Sequence, residues 1–136
     1  MLKQIVLIHP IGQGLALFFG LFNIFSGLTR KFFVLPIHIN CGVLYYCSAL
    51  LGAGLGLFVT KWMQSKGMAV DMLIHEINAM ALVLMMTMGA TTGVLMLTAR
   101  KRSSIVLKCH RFVNVAGLVF YLIQGMTGVA ELGAFL

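Results

Sequence analysis

Acidic residues and prolines are scarce in this sequence. Its 136 residues include three aspartates and glutamates in all and two prolines, and 10% of the residues are charged. An ordinary soluble domain has about 25% charged residues. Because 60% of this chain is hydrophobic, its polar residues are too few to cover its apolar ones, and the composition excludes a soluble globular fold. The apolar surroundings must then be membrane lipid.

The cysteines are also few, and their pattern carries no site. Cys41, Cys47 and Cys109 are spaced neither as a disulfide framework nor as a pair of zinc ligands. His110 follows Cys109 directly, but the second cysteine of a Cys-x-x-Cys-His motif is missing. The sequence therefore does not indicate a covalently attached c-type haem.

Long apolar runs, by contrast, fill the chain. Crossing a bilayer as a helix takes about 20 residues, and four runs are at least that long, at residues 5–28, 32–60, 70–98 and 105–132. Backbone polar groups in lipid must be satisfied within their own segment, so we expect helices. Pro10 and Pro36 lie near two of the expected helix starts, where the missing N–H is tolerated best. The short connections at 29–31, 61–69 and 99–104 make neighbouring helices antiparallel, and we predict one all-α domain, residues 1–136, an integral membrane up-down-up-down four-helix bundle.

The net charge of +7 comes from basic residues in and beside the connections. Seven of them lie on the side of the first and third connections: Arg30, Lys31, Arg100, Lys101, Arg102, Lys108 and Arg111. Lys3, Lys61 and Lys66 lie on the other side. Because basic residues collect on the cytoplasmic side, we expect both termini outside, on the periplasmic side of a bacterial inner membrane. The charges then set topology, and we expect no nucleic-acid partner.

The histidines follow the same fourfold pattern. Each lies at or near the N-terminal end of a different apolar run: His9, His38, His75 and His110. Because the runs alternate in direction, His9 and His75 share the outer side, whereas His38 and His110 share the inner side. Helices one and three are diagonal in such a bundle, as are two and four, so each level presents two imidazoles across the core. Because a haem iron with two axial histidines needs this arrangement, we predict one b haem bound by each pair.

A glycine follows every histidine after eighteen residues, namely Gly27, Gly56, Gly93 and Gly128. Eighteen residues are five helical turns, so each glycine shares its histidine's face near the opposite membrane level. Fourteen residues after the histidines come Asn23, Gly52, Gly89 and Gln124. A porphyrin approaches backbone only where side chains are small, so we expect each helix to be bare where it passes the haem that it does not bind. Close helix–helix packing is the alternative role of these glycines, and the two roles are compatible.

Charged residues near the histidines suggest further contacts. The candidates to neutralise the propionates of the inner haem are Arg30, Arg100, Lys108 and Arg111. Glu76 is next to His75, where it is either a charge at a helix N-terminus or a proton-handling group at the outer face.

This pattern resembles the four-helix haem core of the cytochrome b561 superfamily and related di-haem membrane cytochromes b. The resemblance rests on one histidine per span at gaps of 29, 37 and 35 residues, on the glycines and on the basic run Arg100-Lys101-Arg102. It implies two b haems, bound by the first helix with the third and by the second with the fourth, that carry electrons across the bilayer. Family members lie between a donor such as ascorbate or quinol and an acceptor such as ferric iron, quinone or another cytochrome. The chain departs from the larger members, which have extra outer helices.

We therefore expect a transmembrane electron conduit, either an electron-transfer protein or a subunit of an oxidoreductase complex. Its expected partners are membrane lipid, a larger redox complex or partner cytochrome, and quinone as a candidate small molecule. One alternative is a metal-ion transporter with His, Met and Cys ligands, and another is a cofactor-free structural subunit. Met85, Met86 and Met88 cannot all share a helix face, which favours apolar packing over a copper site.

Overall fold

The computed structural model describes residues 2–30, 32–67, 73–99 and 103–135. These residues form four α-helices: α1 Leu2–Thr29, α2 Leu35–Ser65, α3 Leu73–Thr98 and α4 Ser104–Phe135. The described ranges contain no strand, and every helix includes a segment long and apolar enough to cross a membrane. The prediction of an all-α integral membrane bundle is confirmed.

The helix bounds differ in places from the apolar runs. Helix α2 continues to Ser65, so the expected connection at 61–69 begins several residues too early. Lys61 and Gln64 are polar but compatible with a helix, and they extend α2 beyond the apolar stretch. At the other end of α2, Pro36 occupies the first helical turn, as expected. Residues 70–72, where the third run was expected to begin, lie outside the described residues.

Pro10 lies inside α1, and not near its start as the sequence suggested. The helix begins at Leu2, so a full two turns precede the proline. Proline lacks a backbone N–H and leaves one carbonyl of the preceding turn without its helical partner. The prediction was wrong because an apolar run marks the part of the chain that lies in lipid. The helix itself begins earlier, where its backbone groups are already hydrogen-bonded.

Residues with positive φ end the first two helices. Arg30 has φ 54°, and Gly67 has φ 75°. A left-handed residue just after a helix lets its last carbonyls accept hydrogen bonds, as the N–H of Arg30 donates to the Ser26 carbonyl (3.1 Å) and that of Gly67 to the Gln64 carbonyl (3.0 Å). Each left-handed residue therefore closes the C-terminal end of its helix.

The four helices form a closed ring in chain order. Helix α1 packs along α2, and α3 packs along α4, while thinner contacts join α1 to α4 and α2 to α3. Among the described residues the backbones of α1 and α3 do not approach each other closely, and neither do those of α2 and α4. The first and third helices are therefore diagonal, as are the second and fourth.

Each of the two closely packed helix pairs has a single antiparallel register. Between α1 and α2, the residue numbers of every close pair have the same sum: His9 with Gly56, Gln13 with Gly52, Gly20 with Tyr45, Asn23 with Gly42 and Gly27 with His38. Between α3 and α4 the same holds for His75 with Gly128, Gly89 with Asn114 and Gly93 with His110. The register places the histidine of each helix beside the far end of its neighbour.

The buried core lies midway between the histidine levels. It is a cluster made of Ala16, Tyr45, Ala49, Leu82, Met86 and Tyr121. Outside this cluster the bundle surface is apolar, since only 17–22% of each apolar window is buried inside the protein. An apolar exterior of this extent is expected of a bundle whose solvent is lipid.

Candidate functional site: two histidine pairs

The structure brings the four histidines together as two pairs. We call His9 with His75 the first pair and His38 with His110 the second pair. The ring centres are 6.4 Å apart in the first pair and 6.3 Å apart in the second. Each pair joins diagonal helices whose backbones lie apart; α2 and α4 also meet midway, where the rings of Tyr45 and Tyr121 are 5.8 Å apart. These are the pairs that the alternating topology predicted.

The two separations fit one metal ion between the rings. A metal–imidazole nitrogen bond is about 2 Å long, so two imidazoles on opposite sides of one metal have ring centres about 6 Å apart. Imidazole planes are free to differ in rotation about that axis, and here they are inclined by 68° and 65°. The ring-centre separations of both pairs agree with a bis-histidine site.

Hydrogen bonds at Nδ1 of His9 and His110 leave Nε2 as the ring nitrogen with a lone pair, the atom through which an imidazole can bind a metal. His9 Nδ1 lies 2.8 Å from the Gly52 carbonyl, and His110 Nδ1 lies 3.1 Å from the Gly89 carbonyl. A carbonyl only accepts, so Nδ1 carries the proton toward it, and the lone pair is then on Nε2. The Asn114 amide nitrogen also lies 3.3 Å from His110 Nδ1, but it donates to the His110 carbonyl at 2.7 Å. Both acceptors belong to the positions fourteen residues after a histidine, on the adjacent helix.

The other two histidines differ in detail. His75 Nδ1 lies 3.1 Å from the hydroxyl of Thr127. His38 Nδ1 is buried and makes no hydrogen bond of standard geometry with a described residue, although the Asn23 backbone is beside it. Asn23 lies fourteen residues after His9. His38 therefore has a residue at this offset beside its Nδ1, as His9 and His110 do.

Every glycine eighteen residues after a histidine lies against the imidazole of the adjacent helix. A Cβ at these positions would lie close to a histidine Cε1: Gly56 2.8 Å from His9, Gly27 3.1 Å from His38, Gly128 3.2 Å from His75 and Gly93 3.4 Å from His110. The sequence argument gave these glycines a haem as their neighbour. In the structure each glycine instead faces the edge of a histidine ring, so its small size makes room for that imidazole.

Sequence analysis missed a third repeat, of hydroxyl groups. Seventeen residues after three of the histidines come Ser26, Thr92 and Thr127, and α2 has Leu55 instead. Each hydroxyl donates to the carbonyl of the position fourteen residues after the histidine: Ser26 to Asn23 at 3.0 Å, Thr92 to Gly89 at 3.0 Å and Thr127 to Gln124 at 3.1 Å. Comparing the four runs at every offset, as was done for the glycines, would have found this repeat.

A large cavity surrounds the first pair. Its volume is about 1370 Å³, and all four helices line it. Pockets for small ligands usually measure about 300–1,000 Å³, so this cavity, which is half open to the outside, has room for a large ligand. The lining is mainly apolar and includes a few polar side chains: Gln13, Glu76, Tyr121 and Gln124.

Gln124 lies on the metal-binding side of His75. Its Nε2 is 2.7 Å from His75 Nε2, and its buried Oε1 has no partner among the described residues. The corresponding positions on α2 and α3 are glycines, Gly52 and Gly89. A metal bound to His75 requires this amide to rotate away, which sets the first pair apart from the second.

Basic residues lie at the end of the bundle that holds the second pair. Arg30 follows α1 just beyond Gly27, and Lys108 and Arg111 flank His110 on α4. Arg30 and Lys108 are exposed, and Arg111 is half-buried. Arg100, the fourth candidate for propionate contacts, lies outside the described residues. Glu76 is half-buried at the opposite end and borders the cavity of the first pair.

This arrangement was compared with known proteins. The chain matches no family model, no curated protein and no solved structure. The similarity to the cytochrome b561 superfamily therefore rests on the histidines, the glycines and the basic run alone. Within the described residues no three His, Cys, Asp or Glu side chains are grouped as metal ligands, so the sites to consider are two-histidine sites.

Proposed function

We propose that this protein is a transmembrane di-haem b cytochrome that passes electrons across the membrane between a small donor, such as a quinol, and a redox partner protein. The observation that carries the proposal is the pair of facing imidazoles at each of two levels, with ring centres 6.4 and 6.3 Å apart. Two protein ligands per level suit a haem, because the porphyrin supplies the other four nitrogens to the iron.

The residues present fit this cofactor. His9 and His75 would hold one haem, and His38 and His110 the other, each through Nε2. The bound haems would supply reversible one-electron chemistry. The chain itself orients three of the four imidazoles through Nδ1 hydrogen bonds, makes room for the rings at the glycines and provides an apolar surrounding with few polar groups.

The positions of the two pairs favour transfer across the membrane. On α2, fourteen residues separate His38 from Gly52, whose carbonyl contacts His9. At 1.5 Å per residue this is about 21 Å along the helix axis, most of a hydrocarbon core of about 30 Å. The two pairs would therefore lie near opposite faces of the bilayer.

The charges support an orientation and a set of contacts. Arg30, Lys108 and Arg111, together with Arg100, would lie on the cytoplasmic side, with both termini periplasmic in a bacterial inner membrane. There they would neutralise the propionates of the haem at the second pair. We further propose that a larger redox complex or partner cytochrome supplies the docking surface, and that quinone is the candidate small-molecule partner.

The visible spectrum of the detergent-purified protein tests the proposal. Protein from haem-replete cells should show the reduced bands of bis-imidazole haem b, with two haems per chain by pyridine haemochrome assay. A colourless preparation from such cells would contradict the proposal and leave a metal-ion transporter or a cofactor-free subunit. Metal analysis of the same colourless sample separates these two.

A further inference from the structure

We propose that Thr127 is a positioning residue that holds the imidazole of His75 in its metal-binding tautomer and lowers the reduction potential of the haem at the first pair, and that Thr92 does the same more weakly for His110. The proposal rests on the proposed function for its effect on potential. Its effect on the tautomer concerns the protein alone.

The direction of the hydrogen bond follows from counting protons. The Thr127 hydroxyl has one proton, and it donates that proton within its own helix to the carbonyls of Ile123 and Gln124, both at 3.1 Å. Toward His75 Nδ1, at 3.1 Å, the hydroxyl oxygen can then act only as an acceptor. His75 must therefore carry its proton on Nδ1, which leaves the lone pair on Nε2.

The same count applies to Thr92. Its hydroxyl donates to the carbonyls of Met88 at 2.8 Å and Gly89 at 3.0 Å, and it lies 3.1 Å from His110 Nδ1. His110 Nδ1 also has the Gly89 carbonyl at 3.1 Å. Removing the Thr92 hydroxyl leaves that second acceptor in place, and Gly89 can still hold the tautomer. Among the described residues no backbone carbonyl accepts from His75 Nδ1, and for this reason Thr127 has the larger role.

A hydrogen bond from the Nδ1 proton to an acceptor also changes the basicity of the imidazole. Hydrogen bonding through the remote nitrogen makes the imidazole a stronger base, which stabilises the more positive, oxidised metal. A hydroxyl that is itself donating to a carbonyl is polarised and accepts more strongly. Loss of the Thr127 acceptor should therefore raise the potential at the first pair.

The test compares Thr127→Val, which keeps the shape and removes the acceptor, with Thr127→Ser, which keeps the acceptor. Thr91→Val is the matched control, because the Thr91 hydroxyl is exposed and bonds to the Thr87 carbonyl away from any histidine. In haem-free protein, ¹⁵N NMR of labelled histidines should show His75 with its proton on Nδ1. The Gln124 amide lies 2.7 Å from His75 Nε2 and also favours this tautomer, so the comparison is made in the Gln124→Ala background. There Thr127→Val should give mixed tautomers, and Thr127→Ser should restore the single one.

Redox titration of the haem-loaded protein provides the second readout. Thr127→Val should favour the reduced form at the first pair about tenfold, which is about 59 mV for a one-electron couple. Thr92→Val should shift the other haem by a smaller factor, and Thr91→Val should shift neither. An unchanged His75 tautomer in Thr127→Val made in the Gln124→Ala background, or a potential shift no larger than that of Thr91→Val, would overturn this proposal while leaving the di-haem function intact. Protein that binds no haem would instead refute the function, and the NMR result would still decide the role of Thr127.

Discussion

Gly56 lies so close to His9 that a Cβ at position 56 would be 2.8 Å from Cε1 of the imidazole. Real side chains do not approach to that distance, so any larger residue must displace the ring. His9 cannot move freely, because its Nδ1 is hydrogen-bonded to the carbonyl of Gly52, which lies on α2 as Gly56 does. The position of the His9 ring therefore depends on a glycine at position 56.

Replacing this glycine should damage the first pair specifically. Gly56→Ala should tilt the His9 ring, lower haem occupancy at the first pair, and cost about 1–3 kcal/mol through overpacking. Haem content by pyridine assay and thermal unfolding in detergent measure the two effects. The control is Gly54→Ala on the same helix, where nothing lies within 4 Å of the added Cβ. It should be neutral or stabilising by up to about 1 kcal/mol, because alanine is the better helix former. Equal damage from both variants would show that the His9 contact is not the cause.

The four equivalent glycines should form a graded series. The added Cβ would lie 2.8 Å from the ring at Gly56, 3.1 Å at Gly27, 3.2 Å at Gly128 and 3.4 Å at Gly93. Haem loss in the four Gly→Ala variants should follow that order, with Gly93→Ala close to wild type because 3.4 Å is nearly an ordinary contact. A Gly93 variant more damaging than the Gly56 variant would contradict the geometric explanation.

Single histidine variants should separate the two levels. His75→Ala should lose the haem of the first pair and keep the other, and His38→Ala should do the reverse. The reason is that each iron would take both protein ligands from one level. Spectra and haem-to-protein ratios of the purified variants provide the measurement. Full retention of both haems in His75→Ala would refute the pairing.

Removing the Gln124 amide should help haem to bind at the first pair. Its Nε2 is hydrogen-bonded to His75 Nε2, and this bond must break before a metal can bind. A hydrogen bond of this kind contributes about 1 kcal/mol, so Gln124→Ala should raise haem affinity about fivefold. Titration of haem into haem-free protein measures the affinity, and the exposed Gln64→Ala serves as the control. A weaker first site in Gln124→Ala would mean that the amide helps to hold the haem instead.

The two central tyrosines should respond differently to loss of their hydroxyl groups. Tyr121 donates to the backbone carbonyl of Gln13 at 2.8 Å and contacts its side-chain oxygen, so Tyr121→Phe should lower the free energy of unfolding by about 1 kcal/mol. The Tyr45 hydroxyl is buried and has no partner among the described residues. Tyr45→Phe should therefore be neutral or stabilising, because it removes an unsatisfied polar group. Denaturant unfolding in detergent compares the two. A larger loss for Tyr45→Phe would indicate a partner for its hydroxyl.

The sequence was sufficient for the architecture and for the pairing of the histidines. Hydropathy located four spans, and short connections made the helices antiparallel, so the diagonal partners of His9 and His38 followed from topology alone. The predicted ends of the helices were less accurate, because Pro10 and Lys61 mark changes in the sequence pattern and not the limits of the hydrogen-bonded backbone.

Contacts between helices could not be derived in the same way. The periodicity of one helix shows that Gly56 and His38 share a face, but the neighbour of Gly56 depends on the register between α1 and α2. That register is set by the close packing of whole helix surfaces, and it brings His9 to Gly56 and Gln13 to Gly52. The position of the Gln124 amide at His75 likewise depends on a side-chain conformation that no spacing rule gives.

The uneven packing of the ring bears on how the protein is put together. Helices α1 and α2 form one tight hairpin and α3 and α4 another, with thinner contacts between the two. Each histidine pair takes one imidazole from each hairpin. A group bound at either level would link the two hairpins. Cofactor binding and bundle assembly would then be thermodynamically coupled. Hairpins made as separate chains should then associate firmly only in the presence of haem.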